Sequence, residues 1–228
     1  MPNNLSEKEI KDIIQWDVKN WKNALFFWEA HFDFKPGHKV LVLGDRNGGL
    51  SLFFAKKGMQ VVCSDFDLQL ETAKELHQKY QVENLIEYAK VDMREIPFKD
   101  AEFDVVAFKS VLGALNDFEE QKKTMNEIYR VLKKDGALVF AENTRASRLH
   151  QWMRNKFAKW KDPWRYSDDL EFKEWSGLYS KSFMKKRGFF GLFGRSEGQR
   201  NFLGSVDVLA HYLTPRRWKY ILAGVFVK

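Results

Sequence analysis

"VLVLGDRNGGLSL", residues 40–52, reads as three pieces: an apolar run at 40–43, a polar turn with glycines at 44, 48 and 49, and a second apolar run from Leu50. A strand buried on both faces is apolar throughout, and glycine lets the chain turn sharply into a following helix. The first amides of such a helix point at an anionic or polar ligand. Alone, the signal is weak, because any tight strand–helix turn favours glycine. Arg46 also stands in the middle of the turn, where a ligand loop would carry a small residue.

The pattern repeats outward from this turn. "QVVCSD" (60–65), "LIEYAK" (85–90), "FDVVAFK" (103–109) and "GALVFAE" (136–142) read as further strands. Helices are expected from about Gly49 to Lys57, from about Leu68 to Tyr80 and across 119–132. Alternating apolar strands and helices predict an α/β fold with a Rossmann-like, doubly wound, mostly parallel sheet. Residues 6–30 read as one amphipathic N-terminal helix, opened by a Ser6/Glu9 capping box. Helix is also expected from Arg145 to Trp160, with Leu149, Trp152, Met153 and Trp160 on one face. The runs "VDVLAHYL" (206–213) and "YILAGVFVK" (220–228) suit an antiparallel pair that completes seven strands at the sheet edge. The expected organisation is a helical lid at 1–35, a ligand-binding core at 36–144, and substrate-side helices, a loop and final strands at 145–228.

At 228 residues, with 44% hydrophobic residues, the chain supports one substantial core. Its single cysteine, Cys63, excludes an intramolecular disulfide and fits a reducing compartment, so a cytoplasmic location is expected. The start, "MPNNLSEKEI", lacks an apolar secretion signal, and no apolar run is long enough to span a bilayer. The five histidines show no metal-ligand spacing, so no metal is expected. Net charge is +7, and residues 145–200 hold fourteen Lys/Arg against six Asp/Glu. Such a segment suits phosphate, RNA or an anionic lipid surface, or is simply a solvated face.

In doubly wound sheets, ligands sit beyond the carboxyl ends of the strands. That rule selects Gly44, Asp45, Arg46, Gly48, Asp65, Asp92, Lys109, Ser110, Glu142 and Asn143. Asp65, about twenty residues after the turn, can accept both hydroxyls of a ribose or simply cap the next helix.

"VLVLGDRNGGLSL", "VVCSDFD", "VDMREIPFKDAEFDVVAFKSVL" and "EIYRVLKKDGALVFAE" follow one another in an order that resembles the class I S-adenosylmethionine-dependent methyltransferases. The last two stretches carry the resemblance most specifically. It implies S-adenosylmethionine as cofactor and S-adenosylhomocysteine as product, held at the methionine end by the Gly44–Gly48 turn. Asp65 would take the ribose, Phe66 the adenine face, and Asp92, with Met93 beside it, the adenine amino group. Two departures stand out. The family's acid before the first glycine is Val42 here, leaving Asp45 as a substitute partner for the methionine ammonium. The middle glycine is Arg46, which either pairs with the methionine carboxylate or points outward into solvent. Lys109, at the end of the fourth strand, is a further candidate for cofactor contact.

The same resemblance leaves the acceptor open. Lys109 and Ser110 stand where small-molecule members carry an Asn, and Ala114 replaces the usual His. Glu142, His150 and Lys109 are the candidate bases, while Trp16, Trp21, Ser110, Asn143, Trp164 and Tyr166 are candidate acceptor contacts. The expected activity is methyl transfer, at oxygen, to a small or medium-sized and possibly anionic acceptor: a sugar, nucleotide-sugar, glycan or lipid-linked intermediate. The alternatives are an RNA methyltransferase using residues 145–200, a cofactor-binding protein without catalysis, and an enzyme that also touches a membrane through "FMKKRGFFGLFGR" (183–195).

Overall fold

Val40 and Val42 of strand β1 (Lys39–Leu43) enter one hydrophobic cluster, and Leu41 and Leu43 enter another. Both faces of the strand are therefore buried, as its unbroken apolar run requires. The computed structural model describes residues 5–157 and 164–228. Its other strands are β2 (Gln60–Asp65), β3 (Ile86–Lys90), β4 (Phe103–Lys109), β5 (Leu132–Asn143), β6 (Lys181–Arg187) and β7 (Ile221–Val227). They form one seven-stranded sheet in the order β3-β2-β1-β4-β5-β7-β6. The first five run parallel, and β7 lies antiparallel between β5 and β6. Strand order reverses between β1 and β4, so the sheet is doubly wound and its switch point lies beside the 44–49 turn.

Helices cover both faces. On one side lie α1 (Glu7–Ile14), α2 (Val18–Glu29), α3 (Gly49–Ala55) and α4 (Glu71–Lys79), packing Trp21, Trp28, Phe53 and Phe54 onto the strands. On the other lie α5 (Phe118–Val131) and α7 (Asp169–Ser176), whose Met125, Ile128, Phe172 and Trp175 share one buried cluster with Phe140. The Phe140 ring stacks on Phe108 at 5.4 Å and on Phe172 at 5.0 Å. The remaining helices are α6 (Arg148–Phe157) and α8 (Glu197–Leu209).

Three sequence expectations need correction. The N-terminal segment is two helices, because Gln15 (φ 72°) and Asp17 (φ 45°) turn the chain between Ile14 and Val18. The Ser6/Glu9 capping box does open α1. Residues 206–209 of "VDVLAHYL" belong to α8, which packs on α2, and the antiparallel partner of β7 is β6. Within "FMKKRGFFGLFGR" the first five residues are therefore strand. Trp160, expected on the α6 face, falls outside the described residues; Leu149 and Trp152 are about half exposed.

A buried polar network ties the N- and C-terminal parts together. Glu197 accepts hydrogen bonds from the amides of Asp17 (2.8 Å) and Val18 (2.9 Å), capping α2 from far along the chain. Asp17 accepts from the Tyr220 hydroxyl and from Asn20 Nδ2, which also donates to Asp207. Burial pushes the Asp17 carboxyl up to about 7. Tyr220→Phe removes one of its two side-chain donors, so urea unfolding at neutral pH should show a loss of about 1–3 kcal/mol. An unchanged midpoint would mean the network contributes nothing to stability.

Candidate active site

The 44–49 turn is shaped by its two left-handed glycines. Gly44 has φ +65°, and a Cβ there would stand 2.6 Å from Val111; Gly48 has φ +74°, and its Cβ would stand 2.6 Å from His77 Nε2. Any side chain at either position is strained and displaces a neighbour. His77 is the support that the sequence did not disclose. Its Nε2 lies 2.9 Å from the Gly48 carbonyl and its Nδ1 lies 2.8 Å from the Tyr88 hydroxyl. Burial pushes its pKa down, so the ring is neutral. A carbonyl only accepts, so Nε2–H donates to Gly48 and Nδ1 accepts from Tyr88. Only its place on the buried face of α4, one turn after Ala73, hinted at this.

Asp45 turns inward. Its carboxylate accepts from the amides of Leu50 (3.3 Å) and Ser51 (2.7 Å) at the start of α3, and burial raises its pKa. These amides occupy part of the carboxylate that the sequence reading offered to a methionine ammonium. Arg46 points outward: it is exposed and its Nη2 lies 3.4 Å from Asp67 Oδ2. Asn47 Nδ2 donates to Gln15 Oε1 at 3.0 Å, so the α1–α2 junction is seated on the turn.

Asp65 ends β2 with its carboxylate accepting only the Asp67 amide, at 3.1 Å, among the described residues. Phe66, 53% exposed, follows it at the rim, with Lys90 Nζ 5.7 Å from its ring centre. Asp92 is differently placed. Arg94 grips both of its oxygens, at 2.8 Å from Nη2 and 2.9 Å from Nε, and holds its pKa below the usual range. Arg94 in turn pairs with Glu120. A carboxylate in that grip keeps limited capacity for an adenine amino group. Met93 is partly buried against the α5-side cluster.

Beyond the ends of β4 and β5, burial sorts the remaining candidates. Lys109 Nζ sits 5.4 Å from the Trp16 ring centre and 5.5 Å from that of Trp21. Burial lowers its pKa to about 8, against the pull of Asp45 and Glu142. Trp21 is fully buried, so it forms the back of this aromatic enclosure and is not a direct acceptor contact; Trp16 is partly exposed and has Arg200 5.8 Å from its ring. Ser110 accepts from Asn143 Nδ2 at 2.9 Å, and Asn143 Oδ1 is buried without a partner among the described residues.

Two candidate bases lose that role on geometry. Glu142 is 1% exposed and accepts from the amides of Val111 (2.9 Å), Leu112 (3.0 Å) and Asn143 (2.9 Å). It pins the loop after β4 to the end of β5, and burial raises its pKa to about 7. His150 is fully buried, with Ser147 Oγ at 2.6 Å on one nitrogen and the Phe189 carbonyl at 2.9 Å on the other. Its ring stacks on Phe193 at 4.9 Å, so it anchors the 189–193 aromatics. Trp164 packs against Gly113, and Tyr166 lies under the Arg154 guanidinium at 3.8 Å. Arg154 donates to the Thr144 carbonyl at 2.8 Å, while its Nη2 is buried without a partner among the described residues. The structure thus groups Lys109, Ser110 and Asn143 with Trp16 on one side of the strand ends, and turns Glu142 and His150 inward.

Residues 41–140 match the family described as methyltransferase domain. The ubiquinone/menaquinone biosynthesis C-methyltransferase of Ruegeria sp. (strain TM1040) is 28% identical over 125 residues, covering 54% of this chain and 48% of that protein. The demethylmenaquinone methyltransferase of Streptomyces griseus is 31% identical over 123 residues, covering 54% and 48%. The chain spans about half the length of these curated relatives. Its fold is similar to that of phosphoethanolamine N-methyltransferase 2 from Haemonchus contortus, solved with S-adenosylhomocysteine. That match has a TM-score of 0.64 at 16% identity, over 91% of this chain and 52% of the other.

Proposed function

We propose that this chain, whose residues 41–140 match a methyltransferase domain, is a class I S-adenosylmethionine-dependent methyltransferase that methylates a small acceptor through an acidic hydroxyl. The acceptor is phenolic or enolic, and methylation falls on its oxygen or on the adjacent ring carbon. S-adenosylmethionine, when bound, supplies a methyl group activated on a sulfonium. The residues fit that cofactor: a glycine turn that a Cβ would fill, an Asp65 carboxylate with one amide partner, and an exposed Phe66. In this reading the Gly44–Gly48 turn holds the methionine end, Asp65 the ribose hydroxyls and Phe66 the adenine face.

One observation carries the choice of acceptor: a lysine with pKa about 8 enclosed by Trp16 and Trp21 at the end of β4. A base works best when its pKa lies near working pH, and its neutral amine can take the proton of an acidic hydroxyl. The resulting ammonium then stays beside the oxyanion in a half-buried aromatic enclosure, where the pairing is stronger than in open water. Sugar hydroxyls are far weaker acids, so the sugar or glycan acceptor expected from the basic segment is less well served. The similarity to a ubiquinone/menaquinone biosynthesis C-methyltransferase and to a demethylmenaquinone methyltransferase supports extending the reaction from oxygen to carbon. The RNA reading weakens because three of the basic side chains of this segment are used internally. Arg154 is buried, Arg165 pairs with Glu171, and Lys186 with Asp169.

The test is methyl transfer from labelled S-adenosylmethionine across phenols, hydroquinones, sugars and RNA. Transfer to sugars or RNA alone would reject the acceptor class; no transfer to any, with intact cofactor binding, would favour a binding protein without catalysis. Arg46→Gly provides a control on the turn. The side chain faces solvent and its pair with Asp67 is exposed, so S-adenosylhomocysteine affinity by calorimetry should change less than about fivefold. A larger loss would mean Arg46 swings inward to grip the methionine carboxylate.

A further inference from the structure

The α8 helix buries Gly204 and Asp207 towards α2 and leaves Phe202, Val208 and Leu209 at 70%, 53% and 83% exposure. The chain then turns through Tyr212 and Leu213, 95% and 86% exposed, and Trp218 stands beside them in sequence at 40%. A stripe of this kind costs free energy in water and marks a contact surface. Its surroundings specify the contact. Lys185 and Arg187 project from the edge strand β6, and Arg216 and Arg217 follow the turn, with Lys219 buried behind them and donating to the His211 carbonyl at 2.9 Å. Burial first, and then the nearby charges of Arg187, Arg216 and Lys185, lower the pKa of Lys219 against the pull of Asp207. Among the described residues only Arg216 of these five forms an ion pair, with Asp169, which also serves Lys186. Asp207 lies beneath, its oxygens taken by the amides of Phe189, Phe190 and Gly191.

We infer that this surface, the exposed stripe of α8 and the 210–218 turn ringed by basic residues, docks on an anionic lipid bilayer. Aromatic and aliphatic tips enter the interface while lysine and arginine meet the headgroups, and each reinforces the other. A protein groove would offer the apolar contact without needing the unneutralised charge; RNA would meet the charge without needing Leu209 and Leu213. The opposite end of α8 lies at the candidate site, where Glu197 caps α2 and Arg200 overlies Trp16. A helix of thirteen residues is about 20 Å long, so docking would hold the site within one helix length of the bilayer. Delivery of a lipid-soluble acceptor along that route rests on the methyl-transfer reading; the docking itself does not.

Flotation with vesicles tests the docking without cofactor or acceptor, so its outcome is independent of catalysis. The full chain should bind vesicles of phosphatidylcholine and phosphatidylglycerol at about three to one, and do so less at high salt. Binding to pure phosphatidylcholine should be at least about tenfold weaker. The pair Tyr212→Ser/Leu213→Ser and the pair Lys185→Glu/Arg217→Glu should each lower binding at least about tenfold, with unfolding temperature unchanged because all four side chains are exposed. Failure to bind anionic vesicles, or binding that both pairs leave intact, would overturn the inference. So would a dimer in analytical ultracentrifugation that Leu213→Ser dissolves, or RNA binding lost on charge reversal in a chain that does not float.

Discussion

Lys109→Met is expected to lower methyl transfer by about 100- to 10,000-fold while making the protein more stable. The two effects have one cause. Burial holds the Lys109 pKa at about 8 against an ordinary 10.5, so the folded state carries the charge at a cost of about 3 kcal/mol. Between those two values the unfolded chain binds more protons, and stability attributable to this group rises with pH. Below about 8 both states are protonated and the penalty stands in full. Methionine fills a similar volume and removes the charge. The lost attraction to the Trp16 and Trp21 rings offsets part of the gain, leaving about 1–2 kcal/mol at neutral pH. A lysine that merely props the fold would lose stability and activity together.

The wild-type pH profile gives an independent check. If the neutral amine takes the proton, about a tenth of Lys109 is competent at pH 7 and most of it at pH 9. The rate with a saturating phenolic acceptor should rise about tenfold over that interval. A flat profile, or a rate that falls, would mean the amine is not the base. Lys109→Arg keeps the charge but cannot titrate in this range, so it should behave like the methionine variant in rate but not in stability.

The parallel strands inside the sheet's β3 edge were readable because each is buried on both faces. Residues 39–43, 60–65 and 103–109 are apolar runs between polar turns, and the structure places strands there. At the edge the same logic misled. Strand β6 is "KSFMKKR", whose outer face meets solvent, and lysine on an edge strand is how sheets avoid sticking to one another. Its charge concealed its hydrogen bonding to β7. "VDVLAHYL" failed the other way: its β-branched residues suit a strand, but Gly204 and Asp207 pack a helix against α2. The break at residues 15–17 depends on a cap from Glu197, and no local pattern carries a contact across 180 residues.

The site was legible in position and much less so in role. The strand-end rule found Lys109, Ser110, Glu142 and Asn143 together, since topology alone sets which residues leave a sheet at that edge. What each does depends on burial. Glu142 and Lys109 both carry charge at neighbouring strand ends, yet three amides consume the carboxylate and two aromatic rings enclose the amine. His150 looked available because α6 is polar in sequence, but the Phe189–Phe193 segment folds over it. His77 went unnoticed because its partner, the Gly48 carbonyl, is backbone and leaves no trace in a side-chain pattern.

Asp65→Ala should weaken S-adenosylhomocysteine binding by about 100-fold, measured by calorimetry, with little change in unfolding temperature. The carboxylate ends a parallel strand close to the switch point, and among the described residues its one hydrogen-bond partner is the Asp67 amide at 3.1 Å. Two ribose hydroxyls donating to it would form charge-assisted hydrogen bonds of about 1.5 kcal/mol or more each, together near 3 kcal/mol. Asp65→Asn keeps one acceptor and replaces the other with a donor, so it should fall between alanine and wild type. Asp92 supplies the contrast. Its oxygens are already held by Arg94, so removing it would free a guanidinium and disturb Glu120 as well. A loss of affinity at Asp92 therefore mixes contact with rearrangement, whereas a loss at Asp65 reads the contact directly. Unchanged affinity in Asp65→Ala would remove the ribose from the end of β2, and the glycine turn would then have to be assigned to some other ligand.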